Sequence, residues 1–291
     1  MSTLIDATLS KVVELLRLEQ LEDNLFRGDS HDIGSAQVFG GQILGQALSA
    51  AERTVEDRVP HSLHAYFLRR GDFNRPVVYQ VERSRDGRSY SNRRVVAIQH
   101  GRPILNLAAS FKCHEEEALA HQVAMPDVDG PDGLPTLGEI NRSLLDQVPE
   151  KMHRFLLHKP PFEFRPVEPP KIIDPGAREP IKHLWMKAWS PLPDDPKLHR
   201  SLLAYVSDYE LLGTATLPHA LDFESLNVQM ASLDHGMWFH RPFRVDEWLL
   251  YALDSPSSGD GRGYSRGQIF SQDGQLVAST VQEGVIRKWR D

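Results

Sequence analysis

Asp208 stands in a stretch, Leu198 to Leu212, whose apolar rhythm predicts a helix. On that helix it shares a face with Ala204, Tyr205, Leu211 and Leu212, at i−4, i−3, i+3 and i+4. The face is apolar, and a carboxylate turned toward a core is costly unless hydrogen-bonded. Asp208 is therefore either a satisfied structural acid or a functional one, able to take a proton from water. Gln282 alternates along a predicted strand with Leu276, Ala278 and Thr280, so its amide shares their face. It can hold a water molecule or a substrate carbonyl there, or simply bond to a loop at the strand end. Ser232, just before Leu233-Asp234-His235, offers a hydroxyl whose plainest use is a local turn. Gly263-Tyr264-Ser265-Arg266-Gly267 has the Gly-x-Ser-x-Gly spacing of a nucleophile elbow, but a loop precedes it and an alternating strand follows, where an elbow needs a strand and then a helix. His235 and His240 have no third ligand at a matching spacing, so no metal is expected.

The elements that must position these residues come twice. Leu9, Val12, Val13, Leu15 and Leu16 give Thr8 to Leu18 a helical rhythm, and a second helix is predicted from Ile43 to Val55. Gly45, Ala47, Ala50 and Ala51 would let that second helix lie close to a sheet. Strands follow at Val77 to Val81, Tyr90 to Gln99 and Ile104 to Lys112. Prolines then recur from Pro126 to Pro175, and residues 116–180 read as a connection between an N-terminal half, 1–115, and a C-terminal half, 181–291. Beyond the connection the pattern returns, with the helix bearing Asp208 and strands at Trp248 to Leu253, Gly263 to Ser271 and Leu276 to Ile286. Residues 44–52 overlay residues 202–210, and 107–110 overlay 277–280, a repeat distance of roughly 160 to 170 residues. In this overlay Asp208 takes the slot of Ala50, and Gln282 that of Lys112. One helix followed by hairpin-connected strands in each half predicts an α+β fold whose sheets wrap the helices.

The composition, 40% hydrophobic and 25% charged, is that of a globular chain. A net charge of −7 argues against nucleic acid as a partner while leaving room for a local basic patch. The single cysteine, Cys113, excludes an intrachain disulfide. Acidic residues near the N-terminus and the lack of a long apolar run argue against a signal peptide or membrane span, and the chain does not end in Ser-Lys-Leu, so a bacterial cytoplasm is the expected location.

Longer matches add a family. Leu25-Phe26-Arg27-Gly28, Val38-Phe39-Gly40-Gly41-Gln42, His64-Ala65-Tyr66-Phe67-Leu68, Pro131-Asp132-Gly133-Leu134-Pro135, the run from Asp234 to Pro242 and Val281-Gln282-Glu283-Gly284 resemble the acyl-coenzyme A thioesterase II family over nearly the whole chain. The resemblance implies a double hot-dog, two antiparallel sheets each wrapped around a central helix, and hydrolysis of fatty acyl-coenzyme A without a cofactor. It implies that Asp208, Ser232 and Gln282 orient the attacking water. It also implies a homodimer or homotetramer. Coenzyme A phosphates call for basic contacts, for which Arg93, Arg94, Arg241 and Arg244 are candidates, although each is also explained as a solvated surface arginine. Two other readings stay open: a hot-dog hydratase or dehydratase using His235 beside Asp234, and a non-catalytic acyl-coenzyme A-binding protein.

Overall fold

The structure is a computed structural model and describes residues 5–33, 37–115, 119–148, 150, 153–171, 176–221 and 228–288. Leu9, Val12, Val13 and Leu16 bury one side of helix α1 (Ala7–Leu16), and Asp6 caps it by accepting from the Thr8 and Leu9 amides. Strands β1 (Glu19–Glu22) and β2 (Leu25–Gly28) follow, neither of them evident from so short a pattern. Next come α2 (Gly40–Glu52), β3 (Val59–Phe67), β4 (Val77–Asp86), β5 (Tyr90–Gln99) and β6 (Arg102–Lys112). In the second half the order is β7 (Phe162–Pro166), β8 (Ile181–Ala188), α5 (Pro196–Val206), a 3₁₀ segment (Leu212–His219), β9 (Val228–Ser232), β10 (Asp234–Phe239), β11 (Leu249–Gly259), β12 (Arg262–Ser271) and β13 (Leu276–Lys288). The stretch expected as a connection carries two short helices, α3 (Leu137–Ser143) and α4 (His153–Leu156). It also supplies β7, which pairs with β8 and so belongs to the second sheet half.

Two sheets were expected, yet the described strands join into one antiparallel sheet, ordered β1-β2-β4-β5-β6-β3-β10-β13-β12-β11-β8-β7, with β9 beside the far end of β13. Each half contributes the same order of strands, and the halves meet where β3 pairs with β10, from Tyr66 opposite Asp234 to Ser62 opposite Trp238. Pairing satisfies the inner backbone edge of each half and leaves β1 and β7 at the outer edges of the sheet. The matching hairpin turns also appear in both halves, with Gly101 and Gly274 at φ of +68° and +87°, a conformation that favours glycine.

Helices α2 and α5 lie against each other in a single apolar core with the inner face of the sheet. Two glycines of α2 serve this helix pair rather than the sheet. A Cβ at Gly45 would stand 2.7 Å from the Ser201 carbonyl oxygen, and one at Gly41 2.1 Å from that of Tyr205. A buried ion pair, Arg200 with Glu52 at 2.7 Å, ties the same two helices. The proline-rich stretch covers a smaller cluster formed by Trp185, Leu250 and Phe270, with the Trp185 indole donating to the Asp129 carbonyl at 2.8 Å.

Candidate active site

Asp208 does not lie on a helix. Helix α5 ends at Val206, whereas α2 continues through the equivalent position, Ala50. Local chemistry accounts for the early stop. The Ser207 hydroxyl turns back to the Ala204 carbonyl at 3.0 Å, and the Tyr251 hydroxyl takes the Ser207 carbonyl at 2.8 Å. Asp208 follows in the released turn, its side chain 6% exposed.

The carboxylate is held by both halves of the molecule. Its Oδ2 accepts from the Gly41 amide at 2.9 Å. Phe39, the N-cap residue of α2, has no side-chain cap of its own, so Asp208 caps that helix from across the interface, where the helix dipole favours an anion. The approach needs glycine, since a Cβ at Gly40 would lie 2.7 Å from Oδ2. Its Oδ1 accepts from Gln282 Nε2 at 2.6 Å and lies 3.5 Å from the Ser232 hydroxyl. Gln282 Nε2 is also 3.1 Å from Ser232 Oγ. The three residues singled out in the sequence therefore converge on one carboxylate oxygen.

A strand irregularity makes this convergence possible. Ser232 pairs with Gly284, but Gly236 pairs with Val281, so the strand carries one residue more than its partner between these points. In a regular strand Ser232 and His235, three apart, would face opposite sides. The extra residue lets both turn inward, as β-bulges commonly do beside active sites. Sequence reading had no sign of this bulge.

The sequence suggests His235 only as a metal ligand, there rejected, or as a hydratase acid–base. It is 1% exposed, with Nδ1 3.3 Å from Gln282 Nε2 and Nε2 3.0 Å from Ser207 Oγ. Burial pushes its ring down to about 4, against the pull of Asp208, so the imidazole is neutral at ordinary pH. Asp234 is engaged elsewhere, accepting from the Glu283 amide at 2.6 Å. The acid–histidine pair of a hydratase is not assembled by these contacts. Ser265 sits mid-strand opposite Gln282, fully buried, with neither the geometry nor the access of a nucleophile elbow. His240 bonds to Ser279 Oγ at 2.9 Å, away from His235's partners.

A cavity of about 220 Å³ reaches Ser232 and Gly40. Val38, Ile43, Phe67, Ile104 and Leu105 give it an apolar wall, and Arg69 and Arg70 also line it. A larger cavity, about 530 Å³, lies between α1 and the β1–β2 hairpin among mixed charges, and none of the three site residues lines it. The arginines named from sequence stand elsewhere. Arg93 is a correction: it is 1% exposed and its guanidinium is spent on Thr54, Asp86 and backbone carbonyls. Arg244 is paired with Asp246 and Asp194, Arg94 faces Glu82 at 3.5 Å, and Arg241 donates to the Leu276 carbonyl at 3.1 Å. The sequence does not single out Arg69 and Arg70, since nothing in a lone Arg-Arg pair announces a cavity beside it.

Doubled helix-in-sheet halves with a polar cluster where they meet are also the architecture of solved structures of the hot-dog fold. An acyl-CoA thioesterase II from Mycobacterium marinum superimposes with a TM-score of 0.78 at 42% identity, covering 97% of this chain and all of that one. A hot-dog-fold protein from Alicyclobacillus acidocaldarius, at 19% identity, shares the fold with a TM-score of 0.77 over 96% of this chain and 99% of its own. Residues 158–285 match the acyl-CoA thioesterase family model and residues 26–112 the model of the acyl-CoA thioesterase N-terminal domain. Acyl-CoA thioesterase 2 of Haemophilus influenzae is 42% identical over 281 residues, 96% of this chain and 98% of the relative. The chain belongs to the acyl-CoA thioesterase family. Among the described residues no helix is long and apolar enough to cross a membrane.

Proposed function

We propose that the protein hydrolyses fatty acyl-coenzyme A to free fatty acid and coenzyme A by direct attack of a water molecule held by Asp208, Ser232 and Gln282. The observation that carries this reading is the meeting of all three side chains at Asp208 Oδ1, with Ser232 lining an adjoining cavity that has an apolar wall. The water's oxygen attacks the thioester carbon while Asp208 accepts its proton. The Ser232 hydroxyl and the Gln282 amide fix the direction of attack. The carbon–sulfur bond then breaks, and the departing thiolate takes up the proton. The carboxylate can act without swinging away, because Gly41 and Gln282 hold its two oxygens from opposite halves. The apolar wall of Val38, Ile43, Phe67, Ile104 and Leu105 suits an acyl chain, and Arg69 and Arg70 suit the phosphates of coenzyme A.

The test is free-thiol release from acetyl-, hexanoyl-, lauroyl- and palmitoyl-coenzyme A, comparing the native protein with Asp208→Asn at equal folded concentration. Turnover by the native protein and a fall in kcat of about 10² to 10⁴ in the variant are expected. Full activity in Asp208→Asn would leave the hydrolase without this water-activating group.

A further inference from the structure

We infer that His235 is a positioning residue for hydrolysis, whose ring ties the Gln282 amide to the turn that carries Asp208. The inference rests on the reading of Asp208 and Gln282 given under the proposed function.

Gln282 Nε2 has two hydrogens and three acceptors within reach: Asp208 Oδ1 at 2.6 Å, Ser232 Oγ at 3.1 Å and His235 Nδ1 at 3.3 Å. For Nδ1 to accept, the ring proton must sit on Nε2. That is the nitrogen facing Ser207 Oγ, 3.0 Å away, and the Ser207 hydroxyl in turn donates to the Ala204 carbonyl at 3.0 Å. Every donor in this chain of bonds then has an acceptor, from strand β13 through β10 to the last turn of α5. Ser207 immediately precedes Asp208, and its own carbonyl is fixed by Tyr251. His235 thus bridges the segments that present the amide and the carboxylate.

The amide oxygen of Gln282 is buried and has no protein partner. The amide is therefore held entirely through its nitrogen. With Ser232 half-buried and facing the cavity, one of the two hydrogens is shared between Ser232 and His235. His235 is the fully buried member of that pair, and it keeps the amide in place when Ser232 turns toward water or substrate. The His235 ring and the Ser207 hydroxyl are shut away from solvent, at 1% and 0% exposure, so water does not substitute for the bonds that link them.

The test measures kcat and KM by free-thiol release from lauroyl- and palmitoyl-coenzyme A for His235→Leu, His235→Gln, Ser207→Ala and Gln282→Ala, and for His235→Leu combined with Gln282→Ala. Misplacement of the amide should lower kcat in His235→Leu by about 10²-fold, with KM within about twofold. Ser207→Ala, a smaller change that breaks the same bridge from its other end, should lower kcat in the same direction, which covers the case in which His235→Leu does not fold. His235→Gln, which keeps a donor and an acceptor, should recover part of the loss. Added to Gln282→Ala, His235→Leu should cost nothing further, because the amide it positions is already gone. A kcat within twofold of native in His235→Leu or Ser207→Ala overturns the inference, as does a loss that multiplies fully with that of Gln282→Ala. Should Gln282→Ala itself keep native kcat, the water-holding site fails, and the inference fails with it.

Discussion

His235 has both ring nitrogens engaged and no path to water, so its ionisation is coupled to folding. Burial is the larger influence, and it pushes the ring from the ordinary 6.5 down to about 4, with Asp208 opposing. The unfolded chain therefore binds the proton first as pH falls. The stability contributed by the neutral ring is fully present above about pH 6.5 and is lost as pH drops toward 4. The buried His199, the half-buried His61 and His158 and the more exposed His240 are pushed in the same direction, so the native protein as a whole should lose stability on acidification. The contribution of His235 is isolated by comparison with His235→Leu. Urea midpoints recorded at pH 7 and pH 5 should fall more for the native protein than for the variant. Equal shifts would place the proton uptake at the other histidines.

At the scale of elements, the site depends on the N-terminus of α2 coming close enough for the Gly41 amide to reach a carboxylate on the other half. Two glycines permit this in different ways. A Cβ at Gly41 meets the backbone oxygen of Tyr205, which cannot move without moving α5. Gly41→Ala should therefore separate the helices and destabilise by about 1 to 3 kcal/mol or more, read as a lower urea midpoint. A Cβ at Gly40 meets the carboxylate of Asp208 itself, a side chain that can give way. Gly40→Ala should keep most of its stability and lose kcat, and the reverse ordering of the two variants would refute this account of the interface. Such contacts explain how far the sequence could be read. The duplicated helix–strand pattern was legible because apolar periodicity repeats in each half, and Asp208 stood out because Ala50 fills its slot. Its exact setting was not legible, since Ser207 and Tyr251 end α5 just before it through contacts between residues 44 apart. Nor was the bulge that aims both Ser232 and His235 inward, which depends on register with β13 and not on any local residue type. Arg93 misled for a related reason: a strand arginine reads as solvated until Thr54 and Asp86 are found beside it.

On the scale of the whole molecule, the duplication has produced two halves that are alike in outline and unequal in function. Asp208, Ser232 and Gln282 all belong to the second half, yet the first half supplies the Gly41 amide and the greater part of the cavity wall, including Val38, Ile43, Phe67 and Leu105. On the proposed mechanism, the second half thus carries the water-holding cluster without a complete site. Separation would also open the β3–β10 edge, break the buried pair of Arg200 and Glu52, and expose the apolar core shared by α2 and α5. Breaking a buried ion pair by removing one partner typically costs about 3 to 5 kcal/mol, and the open edge adds a tendency to associate. Residues 158–288 produced alone should therefore release no thiol from lauroyl-coenzyme A. Co-refolded with residues 5–115, they should regain turnover that rises and saturates with the N-terminal piece, and a Gly41→Ala piece should rescue poorly. Full turnover by residues 158–288 alone would mean that the contacts across the interface serve stability only, and that the second half can arrange carboxylate, hydroxyl and amide without its twin.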